Sequence, residues 1–305
     1  MENTSVLWLG FNLFVLIMLA LDLGVFHRKS EEISVKEALK WTAIWITLAM
    51  IFNLFLYQTM GKEKAIEFFT GYIIEKSLSV DNIFVIIMIF SYFHVPKAYQ
   101  HKVLFWGILG ALVMRVIFIF SGIELIHKFH WLMYVFGGFL IFTGAKMLFG
   151  GDAKIEPERN PVVKLVRRTF PVTKSFHGDK FFTRIQGRLW ATPLFLVVML
   201  IEATDLIFAV DSIPAILAIS DDPFIVYTSN VFAILGLRSL YFALAGIETY
   251  FKYLKYGLSA ILVFVGVKMC IVDIVKIPIE LSLIVIVFTL GVSMMISLVA
   301  TSKKE

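Results

Sequence analysis

The sequence predicts an all-α polytopic membrane protein with about nine transmembrane helices, six of them in two inverted three-helix repeats. Three observations lead there. The 305 residues are 59% hydrophobic and only 17% charged, with a mean hydropathy of +0.85, whereas soluble domains are about half apolar and about a quarter charged. Nine apolar runs are each of the order of the roughly 20 residues that cross a bilayer; they lie near 6–26, 38–59, 66–92, 103–122, 131–149, 191–219, 224–245, 257–275 and 279–299. A motif in the third run returns in the sixth. A membrane barrel would instead show short segments of alternating hydrophobicity.

The first run follows a start without basic residues and leads into "LDLGVFHRKSEE". It reads as a retained span and not a cleaved signal peptide. The second opens with "SVKE" at 34–37, a capping box. These two spans form an N-terminal unit, 1–60. Runs three to five form the first repeat, 61–149. A basic cytoplasmic loop, 150–190, separates it from runs six to eight, the second repeat, 191–275. The last span and a tail occupy 276–305.

Orientation follows from the basic residues between spans. With the N-terminus outside and the C-terminus cytoplasmic, the inner segments carry nineteen Lys and Arg and the outer ones four. All six tryptophans fall near the starts of spans, which suits interfacial anchoring. "GILGA" at 107–111 and "FGGF" at 136–139 allow close helix approach. There is no phosphate-binding loop and no dinucleotide fingerprint, and the single cysteine, Cys270, allows neither an internal disulfide nor a thiolate cluster.

The repeat is read from four matches in order. "EKSLSVDNIFV" (75–85) aligns with "DLIFAVDSIPA" (205–215), "ILG" at 108–110 with 234–236, "GIE" at 122–124 with 246–248, and "GAKM" at 144–147 with "GVKM" at 266–269. Three spans per unit is an odd number, so the second copy enters the membrane upside down. Inverted repeats with a site near the midplane recur in secondary transporters.

The motif places acids where charge is costly. A charge at the bilayer centre costs about 2.5 kcal/mol or more, so Asp22, Glu75, Asp81, Glu202, Asp205 and Asp211 should face a partner or a polar cavity. Glu75, Ser79 and Asn82 share one helical stripe, and Glu202, Asp205 and Ser212 form its counterpart. Asp81 and Asp211 sit about 100° round the helix from the end of each stripe. Pro214 removes the amide that would bond the Val210 carbonyl, and a helix broken there would present that oxygen beside Asp211. Carboxylates, an amide oxygen, hydroxyls and a freed carbonyl are hard ligands suited to Mg²⁺, Ca²⁺ or Mn²⁺. The histidines lie in loops or at span ends. The candidate metal ligands are therefore Glu75, Asp81, Asp205, Asp211 and Glu202, supported by Asn82, Ser212, Ser79, Val210 and Asp22. The competing reading is charge pairing, in which Arg115 or Arg238 neutralises Asp81 or Asp211; the same arginines could hold the acids whenever no metal does.

At these residues the chain resembles the TerC family of bacterial integral membrane proteins. "ALDLGVFHR" (20–28), "EKSLSVDNIFV" and "EATDLIFAVDSIPA" (202–215) are typical of it, and the "LDLGVFHRK" start is similar to its Alx-like branch. The resemblance implies a bacterial inner-membrane location, tellurite resistance for the family and manganese export for Alx-like members. Its intramembrane acids fall here on Glu75, Asp81, Asp205 and Asp211. Tellurite is an anion that needs a basic cavity, so the reading is a non-enzymatic exporter of Mn²⁺ as substrate, with no resident cofactor and no nucleic-acid partner. The alternative is a scaffold in the lipid bilayer whose 150–190 loop recruits a cytosolic stress-response or membrane-assembly partner, tellurite resistance being indirect.

Overall fold

The computed structural model describes residues 2–24, 34–129, 131–149, 161–245 and 254–302. Within them the chain forms α1 (Glu2–Gly24), α2 (Val35–Met60), α3 (Lys62–Tyr92), α4 (Lys97–Lys128), α5 (Leu132–Phe149), α6 (Pro161–Thr169), β1 (Phe182–Ile185), β2 (Arg188–Ala191), α7 (Pro193–Leu217), α8 (Pro223–Leu235), α9 (Leu237–Leu244), α10 (Leu254–Cys270) and α11 (Ile279–Ser302). Within the described residues each predicted apolar run overlaps a helix, and the seventh is divided into α8 and α9 at Gly236. The protein is a mainly helical integral membrane protein. Six stretches are long and apolar enough to cross a bilayer: 35–60, 97–126, 132–149, 193–217, 223–244 and 279–300. Elsewhere, α1 has an apolar stretch at Ser5–Ala20, α10 has 17 residues, and every 18-residue window of α3 contains at least three charges.

Local chemistry sets the boundaries. The Ser34 hydroxyl accepts from the Glu37 amide at 3.3 Å, as its capping motif requires. Asp222 caps α8 by accepting from the amides of Phe224 and Ile225, with Pro223 at the first helical position. α7 runs through Pro214 to Leu217 without a break, which corrects the expected interruption. The proline lies in the last turn, where losing one bond costs the helix little continuity, and the Val210 side chain is 43% exposed.

α8 is the hub, with every residue from Phe224 to Leu235 buried. A helix apolar all round its circumference belongs in an interior. α3 packs on α8 and α4 on α7, while α3 also meets α7 and α4 meets α8. α5 and α10 form the closest pair. Gly137 lies against Gly266, where an added Cβ would stand 2.8 Å from the carbonyl oxygen of Gly266, and Gly144 lies against Ser259, 2.8 Å from its carbonyl oxygen. The Ser259 hydroxyl donates to the Gly144 carbonyl at 2.5 Å. Small residues permit this backbone approach.

Two expectations need correction. The 150–190 loop is not simply a solvated linker, since its described part holds α6 and an antiparallel hairpin. Gln186 and Gly187, both at positive φ, make its two-residue turn. α6 buries Val163 and Val166 and packs on α7, and Phe182 lies 4.5 Å from Phe195 of α7. Nor are all six tryptophans exposed as lipid-facing anchors. Trp45 is 5% exposed and packs on Gly236, and Trp8 stacks on Tyr227 at 5.3 Å.

Candidate metal site

The repeated motif lies on α3 and α7, and the two helices cross in antiparallel register. Gly71 faces Ile216. Eleven residues along each helix, Asn82 and Asp205 line one cavity. It is walled by Ile86, Gly107, Ala111, Ile201 and Leu237 among others, and its free space is about 20 Å³, enough for one water-sized sphere. Asn82 Oδ1 and Asp205 Oδ2 are both buried and accept no hydrogen bond.

Glu75, fully buried, lies two turns before Asn82. Arg115 of α4, 2% exposed, places Nη1 2.6 Å from Glu75 Oε2. The approach is a close, buried ion pair, and the other carboxylate oxygen, Glu75 Oε1, accepts no hydrogen bond. The same Nη1 donates to Asn230 Oδ1 of α8 at 2.6 Å, while Asn230 Nδ2 donates to the Val226 carbonyl at 3.0 Å. Asp205 is within electrostatic reach of both Arg115 and Glu75. Glu75, Arg115, Asn230 and Asp205 thus form one charged cluster drawn from α3, α4, α8 and α7.

The remaining candidates divide. Ser79 and Ser212 are each 1% exposed, and Ser212 Oγ has no hydrogen-bond partner. Arg238 on α9 is 5% exposed. Glu202 points elsewhere. Its carboxylate fills the space over Gly110 and lines a separate crevice between α4, α7 and the hairpin, with Trp106, Phe181, Phe182 and Phe195. One turn of helix therefore separates two acids that serve different cavities. The side chains of Asp22, Asp81 and Asp211 lie outside the described residues. Among the described residues no three His, Cys, Asp or Glu side chains converge; what they offer a cation is the carboxylates of Glu75 and Asp205 with amide and hydroxyl oxygens.

Sequence reasoning missed three participants. Asn230 is fully buried, and the signal was "TSN" at 228–230 in the middle of an oily span. Lys76 donates to the Ala233 carbonyl at 3.2 Å, bracing the end of α8 beside the Gly236 division. Glu67 is two turns before Glu75 on the same stripe. It accepts from the Ser220 hydroxyl at 2.5 Å and from Lys64 at 2.8 Å, tying the start of α3 to the α7–α8 turn. Burial pulls the Lys64 ammonium down, but Glu67, Asp222 and Asp221 outweigh it and leave its pKa raised.

Comparison with known proteins fits this architecture. Residues 60–305 match the integral membrane protein TerC family. STKORF319, a membrane protein of Myxococcus xanthus, is 56% identical over 96% of this chain and 92% of its own length. Alx of Salmonella typhi is 49% identical over 97% of this chain and 94% of its own, and Alx of Escherichia coli K12 is 50% identical over 92% and 90%. Both Alx proteins are named for membrane-bound redox modulation. No solved structure matches. With the family match covering α3 to the C-terminus and the relatives spanning nearly the whole chain, the protein belongs to the TerC family, in its Alx-like branch.

Proposed function

We propose that the chain is a nine-span secondary transporter that exports a hard divalent cation, Mn²⁺, across the bacterial inner membrane, with its N-terminus outside and its C-terminus cytoplasmic. The observation that carries this reading is a set of buried oxygens without hydrogen-bond partners: Glu75 Oε1, Asn82 Oδ1, Asp205 Oδ2 and Ser212 Oγ. All lie on the two helices that bear the repeated motif. An unsatisfied buried acceptor is expensive, and hard oxygens in this number suit a hard cation. Glu75 and Asp205 supply the charge, with Asn82 and Ser212 beside them. Asp81 and Asp211 complete the ligand set. Glu202, in its own crevice, is not a direct ligand.

The helix contacts support an inverted repeat. Exchanging each helix of one repeat for its counterpart turns the α3–α8 contact into the α7–α4 contact. The residue offset of 122 between "GAKM" and "GVKM" converts the Gly144–Ser259 contact into Gly266–Gly137, which is also made. On the motif helices, the offset of 130 relates the facing pair Asn82 and Asp205 to Ser212 and Glu75. Alternating access then arises by one repeat rocking against the other about this site.

The relatives' names point to redox modulation, but one cysteine provides no dithiol within the chain. A redox effect would follow from altered metal content. The test is total cell manganese by mass spectrometry in an efflux-deficient bacterium. Wild type and Glu202→Gln should lower it and Asp205→Asn should not, at equal membrane abundance. Unchanged manganese in all three would end the export reading.

One observation favours a scaffold as second reading: Lys164, Arg168, Arg184 and Arg188 are exposed on α6 and the hairpin, a basic surface for a cytosolic partner. Changing all four to Gln separates the two, because an exporter keeps its manganese phenotype and a scaffold loses it.

A further inference from the structure

The bundle contains a cation of its own at the carboxylate a transported cation would use. Arg115 is held by two acceptors of unequal strength, the Glu75 carboxylate and the neutral Asn230 amide, both 2.6 Å from the same Nη1. The Asn230 amide group is oriented by its bond to the Val226 carbonyl, so Oδ1 stays directed at the guanidinium. Arg115 Nε makes no hydrogen bond, so the guanidinium is not pinned at that nitrogen. Asp205 adds a through-space attraction. Two positive charges cannot share one buried carboxylate without strong repulsion. A divalent cation reaching Glu75 must therefore displace the guanidinium, and Asn230 is already bonded to it.

We propose that Arg115 is a tethered competitor for Glu75, handed to Asn230 when a divalent cation binds and returned to Glu75 when it leaves. This rests on the cation-transport reading and adds a mechanism to it. Competition lowers the site's affinity and so speeds release. It also keeps Glu75 compensated on the return step, when a bare buried carboxylate would be costly. Arg115 and Asn230 act as positioning residues, on α4 of one repeat and α8 of the other.

The experiment uses purified full-length protein, with MnCl₂ binding by calorimetry and radioactive Mn²⁺ flux in proteoliposomes. Arg115→Met should tighten Mn²⁺ binding by about tenfold, within the usual range of site coupling. It should abolish net flux yet retain Mn²⁺/Mn²⁺ exchange, which never requires the empty carrier to return. Arg115→Lys should restore part of the net flux. Asn230→Asp keeps Arg115 but gives it a stronger second acceptor, so it too should tighten Mn²⁺ binding; it provides the test should Arg115→Met fail to fold. Weaker Mn²⁺ binding in Arg115→Met or Asn230→Asp, or parallel loss of exchange and net flux, overturns the competitor role while leaving the site intact. A wild type that neither binds nor moves Mn²⁺ removes the transport reading itself.

Discussion

α3 and α7 carry the same motif and reach different electrostatic solutions. On α3, Glu75 is paired with Arg115. On α7, Asp205 occupies the matching position, but its Oδ2 faces a small cavity without a hydrogen bond, and Arg115 reaches it only through space. The difference shows how one motif on two helices can divide labour. One helix stores its charge against an internal counter-ion, while the other leaves an acceptor open. It also separates stability from function, since a paired acid supports the fold and an unpaired one burdens it.

The strongest test of that contrast is a pair of matched substitutions. Glu75→Gln leaves the buried Arg115 guanidinium without its carboxylate, and breaking a buried pair on one side costs about 3–5 kcal/mol. Asp205→Asn removes a desolvated charge and should leave stability equal or higher. Thermal unfolding in detergent reads both. A large loss of Tm in Glu75→Gln beside none in Asp205→Asn is the expected result, and the double variant Glu75→Gln with Arg115→Met should recover much of the loss. Equal Tm losses in the two single variants would mean that the two motif helices are electrostatically alike.

A smaller effect sharpens the comparison at the α5–α10 pair. A Cβ at Gly266 would stand 2.6 Å from the carbonyl oxygen of Gly137, whereas a Cβ at Gly138 would meet nothing within 4 Å. Backbone cannot yield as a side chain does, so Gly266→Ala should destabilise by about 1–3 kcal/mol through overpacking. Gly138→Ala should be neutral or slightly stabilising, because alanine is the better helix former. If both variants melt with wild type, α5 and α10 do not meet backbone to backbone at this pair.

How much of this was legible depends on the physics each feature obeys. Apolar runs revealed the helices because a bilayer-sized stretch leaves a one-dimensional mark. The motif acids stood out because charge inside such a stretch is costly. Partner choice left no comparable mark: nothing along the chain says that Arg115 selects Glu75, since helix rotation and neighbour decide it. Glu67 escaped notice because it lies near the start of a span, although its spacing from Glu75 extends the same stripe. The hairpin was hidden by its length, four residues per strand, within a segment whose basic composition reads as solvated loop. The division at Gly236 was invisible because a glycine inside an apolar run marks close packing as often as a helix end. Glu202 and Asp205 looked like one stripe at three-residue spacing, yet a crevice over Gly110 was enough to turn Glu202 away.

The smallest expected effect lies where the hairpin segment meets α4. Lys102 donates to Asp179 at 2.9 Å, and its ammonium also sits 5.2 Å from the Phe181 ring centre. The Lys102 hydrogen bond holds the Asp179 carboxyl below its ordinary range, against a smaller opposing push from burial. A carboxyl depressed in the folded state stabilises above its unfolded pKa, about 3.9, and that contribution fades as pH falls through the folded value. The two side chains are 35% and 53% exposed, so solvent screening limits the gain to about 0.5 kcal/mol or less. Asp179→Asn should therefore lower Tm slightly at neutral pH, less at high salt, and not at all once the wild-type carboxyl is protonated. Lys102→Met should lower Tm at both pH values, because the ammonium–ring contact it also removes does not depend on Asp179. A Tm deficit in Asp179→Asn that persists in acid would mean that Asp179 holds the segment by packing and not by charge, and the hairpin would then be fastened to the bundle chiefly through its phenylalanines.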